Sequence, residues 1–130
     1  MASRDLKHNI KPVLAVAPAV LTETATSAAI DTLGFEGVTV EILTGAIAGS
    51  GNFTAKLQHS DTTTSGDFVD VPAIDLIEAL PSVLAANAAV TQGYRGIKRY
   101  VRVLLTLNSG TSIAASASVI LSHPRSAPTT

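Results

Sequence analysis

Cysteine and tryptophan are both missing from this chain, and its aromatic residues amount to three phenylalanines and two tyrosines. Without cysteine there is no disulfide staple and no thiolate to serve as nucleophile or metal ligand. That suits a reducing compartment without requiring one. Without tryptophan, and with tyrosine confined to Tyr94 and Tyr100, the chain lacks the stacking platforms that carbohydrate-binding modules and single-strand nucleic-acid surfaces use. No apolar run approaches the roughly 20 residues that span a bilayer. The nearest, "PVLAVAPAVL" from Pro12 to Leu21, is interrupted by Pro18. It loosely imitates a secretory signal, but Asp5 stands in the basic leader and Pro18 in the apolar stretch, so an arm followed by a first strand is expected instead. Long helical patterns are missing too.

What is present is a one-domain length of 130 residues, rich in Ala, Val, Leu, Ile, Thr and Ser and punctuated by Gly and Pro. That mixture favours strands. The net charge of −1 conceals segregation along the chain. Residues 1–12 set Arg4, Lys7 and Lys11 against Asp5. Residues 13–92 set Glu23, Asp31, Glu36, Glu41, Asp61, Asp67, Asp70, Asp75 and Glu78 against Lys56 alone. Residues 93–130 hold Arg95, Lys98, Arg99, Arg102 and Arg125 and no acid, so the three segments carry +2, −8 and +5. Either basic and acidic strands lie side by side in one fold, or the patches pair with a partner or a second copy.

The alternation of apolar and polar residues defines the strands. Residues 13–21 form a first strand or extended segment, held to a sheet edge by Pro18, and Ala28–Leu33 a short strand or turn segment. In "GVTVEILTG", Val38, Val40 and Ile42 share a face; in "NFTAKLQHSD", Phe53, Ala55, Leu57 and His59 do. The Gly-rich stretch between them, Gly45–Asn52, predicts a β-hairpin. "RYVRVLLTLN" puts Val101, Val103, Leu105 and Leu107 on one face and Tyr100, Arg102, Leu104 and Thr106 on the other. "SIAASASVILS" follows after Ser109–Thr111 and predicts a second hairpin. "FVDVP" is a short strand and "TQGYRG" a turn. Ala73, Leu76, Ile77 and Leu80 have helical spacing, but Pro81 limits them to one short helical segment. The expected fold is all-β: an antiparallel β-sandwich, jelly-roll-like or a small barrel. It occupies residues 13–122, between an extended N-terminal arm (1–12) and an irregular C-terminal tail (123–130). Val40, Ile42, Phe53, Leu57, Val101, Val103, Leu105, Val119 and Leu121 are the expected core.

No constellation carries chemistry. His8, His59 and His123 lack metal-ligand spacing. Asp61, Asp67 and Asp70 flank a loop without the EF-hand pattern and suit turn geometry. "GAIAGSG" lacks the Lys-Ser/Thr ending of a phosphate loop. No cofactor, no metal and no catalytic residue is expected, so the chain is read as not an enzyme. The informative residues are basic: Arg4, Lys7 and Lys11 in the arm, and Arg95, Lys98, Arg99 and Arg102 around the best strand. Arg102, beside Tyr100 and Leu104, suits a partly covered outer face and a bidentate carboxylate contact. These seven are the candidate protein-contact residues, with nucleic acid the weaker alternative.

"FEGVTVEILTGAI", "FTAKLQHSDTTTSGDFVDVP", "GYRGIKRYVRVLLTL" and "ASVILSHPR" together resemble a group of small proteins of tailed bacteriophages and prophages that are similar to head decoration, or cement, proteins. The resemblance runs over most of residues 7–125. It implies an auxiliary structural virion protein that binds the outer surface of an assembled capsid and stabilises it. The implied partners are the major capsid protein and further copies of itself, as a homotrimer. The implied location is the capsid exterior after synthesis in the host cytoplasm, with no membrane involved. Other phage structural roles (tail-tube or head–tail joining subunit) and a carbohydrate-binding module are the alternatives.

Overall fold

The computed structural model describes residues 4–124, and these form ten strands. They are β1 (Ile10–Leu21), β2 (Ala25–Thr26), β3 (Ile30–Asp31), β4 (Phe35–Ala48), β5 (Asn52–Ser60), β6 (Val69–Asp70), β7 (Leu76–Ile77), β8 (Ala89–Tyr94), β9 (Tyr100–Ser109) and β10 (Ser112–Pro124). One sheet runs β1-β10-β4-β8-β7. The other runs β2-β9-β5-β6, with β3 also on β9. Every pairing is antiparallel. The two sheets face each other across one core, so the chain is an antiparallel β-sandwich.

A single register explains most of it. Phe35 pairs with Pro124 and Ala48 with Ser112; past the bend, Asn52 pairs with Ser109 and Ser60 with Tyr100. Residues 35–60 and 100–124 are therefore one long antiparallel ribbon. It is folded double at residues 49–51 and 110–111, so that each half enters a different sheet. Residues 10–31 follow the same course, β1 lying on β10 and β2 and β3 on β9. A ribbon wrapped around its own core is the jelly-roll principle.

The two expected hairpins are thus not hairpins. β4 and β5 lie in opposite sheets, as do β9 and β10. Alternation reports only that each strand buries one face. In a hairpin those faces lie side by side in one sheet; here they look at each other across the core. The linkers are arches and they nest: Thr111 N–H donates to Gly49 O at 3.2 Å, and a Cβ on Gly110 (φ +80°) would come within 2.2 Å of Ser50 O.

All nine expected core residues are at most 3% exposed. Leu84, which no periodicity marked, joins them at 2%. Its N–H donates to Phe53 O at 2.9 Å, which pulls an irregular loop onto the open side of the sandwich. The segment expected to be helical holds only a 3₁₀ turn at Ala73–Asp75, followed by β7; Pro81 and the docking of Leu84 leave no room for a helix. "TQGYRG" is not simply a turn, because β8 runs through Tyr94. Its alternation is masked by Gln92, a buried amide that donates to Glu78 O at 2.9 Å. The strands also extend further than the expected boundaries. β1 begins at Ile10, after a 3₁₀ turn at Lys7–Asn9. Pro12 therefore lies inside an edge strand, where its missing N–H removes no necessary bond. β10 continues to Pro124; residues 1–3 of the arm and 125–130 of the tail lie outside the described residues.

Candidate functional site

Register places both basic segments at one end of the sandwich. Ile10 pairs with Ser122, Phe35 with Pro124, Val38 with Tyr94, and Tyr100 with both Ser60 and Asp31. The chain approaching β1 and the β8–β9 connection consequently sit at the same end, with the 32–34 and 61–68 loops. At the opposite end, residues 22–24, 45–52 and 108–114 include one charged side chain, Glu23. Charge is thus collected at the loop end, while the arch end is almost bare of it.

Within that end the acidic middle of the chain meets the basic C-terminal third. Arg99 forms a bidentate pair with Asp31, Nε to Oδ1 at 2.9 Å and Nη2 to Oδ2 at 2.7 Å. This fork holds the Asp31 carboxyl down at about 2. Lys98 Nζ pairs with Asp61 at 2.8 Å. Lys11, exposed near the start of β1, adds a weaker field on Asp31. The charge segregation of the sequence is, for Lys98 and Arg99, pairing within one chain.

Arg102 departs from expectation. It does not grip a carboxylate: its Nε donates to Gln58 Oε1 at 2.8 Å and its Nη1 to Ser65 Oγ at 3.0 Å. Its guanidinium lies 4.4 Å from the centre of the Phe68 ring, a cation–π contact. Gln58 relays to Asp70, donating from Nε2 at 2.8 Å, and Lys56 pairs with the same carboxylate at 3.2 Å. Arg102 therefore fastens the 61–70 loop over the outer face of β5 and β9. Arg95 also meets no carboxylate among the described residues; its Nε donates to Ile74 O at 2.9 Å. Arg4 is exposed at the start of the described chain, and Lys7 is exposed in the first 3₁₀ turn.

Beneath this end lies a pair that sequence reasoning did not single out. His59 is 5% exposed and its Nδ1 meets the Tyr94 hydroxyl at 2.8 Å. That hydroxyl accepts the Lys98 N–H at 3.2 Å. Burial lowers the histidine's pKa and raises that of the tyrosine. The signal was available: His59 continues the core-facing set Phe53, Ala55 and Leu57.

No group of three or more His, Cys, Asp or Glu residues among the described residues could hold a metal ion. Asp67 accepts from Thr62 Oγ1 at 2.7 Å, Asp61 is paired with Lys98, and Asp70 with Gln58 and Lys56, so the loop carboxylates serve their own turns. A cleft of about 500 Å³ lies beside β5, and its lining includes Thr54, Lys56, Leu57, Asp70, Glu78 and Ser82. No helix among the described residues is long and apolar enough to cross a membrane.

No protein-family model matches the sequence, and no curated protein sequence matches it. Among solved structures, a chain of the infectious bursal disease virus Gx strain is similar in fold, with a TM-score of 0.54 at 13% identity. The match covers 92% of this chain and 35% of that one, so this protein spans about a third of the viral chain. PirA aligns with a TM-score of 0.44 at 17% identity, over 88% of this chain and 94% of its own. The SPBc2 prophage-derived protein YomS aligns with a TM-score of 0.44 at 16% identity, over 86% and 93%. The likeness to the viral chain is one of fold.

Proposed function

We propose that this protein is a structural virion protein: a decoration, or cement, subunit that binds the outside of a phage capsid and stabilises it. The observation that supports it best is the convergence of Arg4, Lys7 and Lys11 with Arg95, Lys98, Arg99 and Arg102 near one end of the sandwich. Such an end suits contact with another protein surface. The sequence resemblance to phage head proteins points the same way, and the fold is one that a viral chain also uses. On this reading the protein is not an enzyme. Its partner is the major capsid protein, its place is the capsid exterior after synthesis in the host cytoplasm, and its copies associate as a homotrimer. Closed symmetric association multiplies weak contacts into avidity, which a pressurised shell needs.

The test is direct. Purified protein is added to shells assembled without it, and occupancy is read by gel shift and by cryo-imaging. Saturable binding to the exterior is expected. Absence of binding to any shell, with binding to tail tubes or head–tail connectors instead, would replace this role by another structural one.

A further inference from the structure

We propose that Ile97 is the anchor with which the loop end docks, entering an apolar socket on the partner protein that carries a carboxylate at its rim for Arg95. This inference rests on the decoration reading and names the residue that makes the contact.

The β8–β9 connection, residues 95–99, is fixed from every side. Arg95 N–H donates to Asp75 O at 2.8 Å, and its Nε to Ile74 O at 2.9 Å. Lys98 N–H is taken by the Tyr94 hydroxyl, and Gly96 lies so close to that ring that a Cβ would come within 2.4 Å of the oxygen. Lys98 is tied to Asp61, and Arg99 to Asp31. Thr32 donates to Arg99 O from its N–H at 2.9 Å and from its hydroxyl at 2.6 Å. At the apex of this clamped loop stands Ile97, 97% exposed.

A lone exposed apolar side chain is ordinary and signifies nothing. Three features separate this one. First, the backbone carrying it is already immobilised, so docking adds little ordering cost; preorganised anchors of this kind dominate binding energy. Second, it is not isolated. Leu33, 60% exposed, lines the same groove of about 330 Å³, and Ile74, 75% exposed, sits on the turn to which Arg95 is bonded. Third, the cations beside it differ in what remains to them. Lys98 and Arg99 have carboxylates of their own, whereas Arg95 is in no ion pair among the described residues. Its guanidinium keeps a donor face for a carboxylate next to the socket.

The experiment titrates full-length wild type, Ile97→Ala, Ile97→Asp and Arg95→Glu onto shells assembled without the protein. Urea midpoints and sedimentation are measured in parallel. Because Ile97 is 97% exposed, both Ile97 variants should keep the wild-type urea midpoint and sedimentation coefficient, whereas Arg95→Glu also loses the bond to Ile74 O. Ile97→Ala should weaken shell binding by roughly tenfold to a hundredfold, the value of one fully buried isoleucine. Ile97→Asp should abolish binding, and Arg95→Glu should weaken it. Wild-type protein that binds while Ile97→Asp binds equally well overturns the anchor and leaves the decoration role standing. A change in sedimentation with Ile97→Asp, at unaltered shell affinity, reassigns the residue to a contact between copies and overturns the shell socket. Wild-type protein that binds no shell overturns the role and the anchor together.

Discussion

The double fold of the ribbon depends on two arches lying in contact, and glycine substitution measures that contact. Gly110 has φ +80°, and a Cβ there would fall 2.2 Å from Ser50 O, 2.5 Å from Ser50 C and 2.7 Å from Gly51 Cα. All three are backbone atoms, so no side chain can swing aside. Alanine at a left-handed position costs about 1–2 kcal/mol in any surroundings. Separating the arches also breaks the Thr111–Gly49 hydrogen bond, worth about 1 kcal/mol net, and loosens the packing beneath it. Gly110→Ala should therefore lose about 3–5 kcal/mol, at the upper end of single-residue effects. Gly34 provides the control, because its φ is +94° yet a Cβ there meets nothing within 4 Å. Gly34→Ala should cost only the conformational part, about 1–2 kcal/mol. Gly66, with open space and no positive φ, should change by less than about 1 kcal/mol as alanine and in the stabilising direction. Urea unfolding followed by far-ultraviolet circular dichroism gives all three. Equal losses for Gly110→Ala and Gly34→Ala would mean that the arches do not nest and that the ribbon is not doubled at this point.

Leu105 is fully buried in β9, so Leu105→Ala should cost about 2–5 kcal/mol in the same assay. Burial depresses the pKa of His59 below 6.5 in the folded chain; the unfolded state then binds the extra proton, so stability is complete above that pH and declines as pH falls below it. His59→Gln should flatten this slope in urea midpoints measured across the range. The Asp31 carboxyl is held at about 2, against 3.8 when free, so its contribution is present above 3.8 and lost as pH falls through 2. Because the pair with Arg99 is half-exposed, Arg99→Ala should cost no more than about 1 kcal/mol near neutrality, and Asp31→Asn should remove the acid-limb component. Deleting residues 2–9, ahead of β1, should leave the urea midpoint within about 1 kcal/mol while lowering occupancy on shells; unchanged occupancy would show that Arg4 and Lys7 take no part in binding.

The faces of the strands were legible in the sequence because burial imposes period two wherever the inward residues are apolar. Val101, Val103 and Leu105 announce themselves for that reason, and Val40 and Ile42 do likewise. The same rule hides β8, where Gln92 occupies an inward position and is satisfied by the Glu78 carbonyl. Partnership between strands was not legible. The nearest strand in sequence is the default pairing, and a Gly-rich linker serves a hairpin and an arch equally. Only the register of residues 35–60 against 100–124 distinguishes them, and that is a long-range property. Leu84 was hidden because it is a single apolar side chain on an irregular segment, with no period to carry it.

The basic residues illustrate the same division. Their segregation along the chain left pairing within the fold and pairing between molecules equally open. The structure separates the cations by what each one meets. Arg99 and Lys98 neutralise Asp31 and Asp61 of their own chain, and Arg102 is engaged by an amide, a hydroxyl and an aromatic ring. These three hold loops in place, so their charge is largely used before any partner arrives. In the proposed contact, Lys98 and Arg99 therefore count for less than the cations around them. On the reading proposed above, the contact also draws on what the paired cations hold in place: a clamped loop with Ile97 at its tip, and beside it Arg95, which is in no ion pair among the described residues.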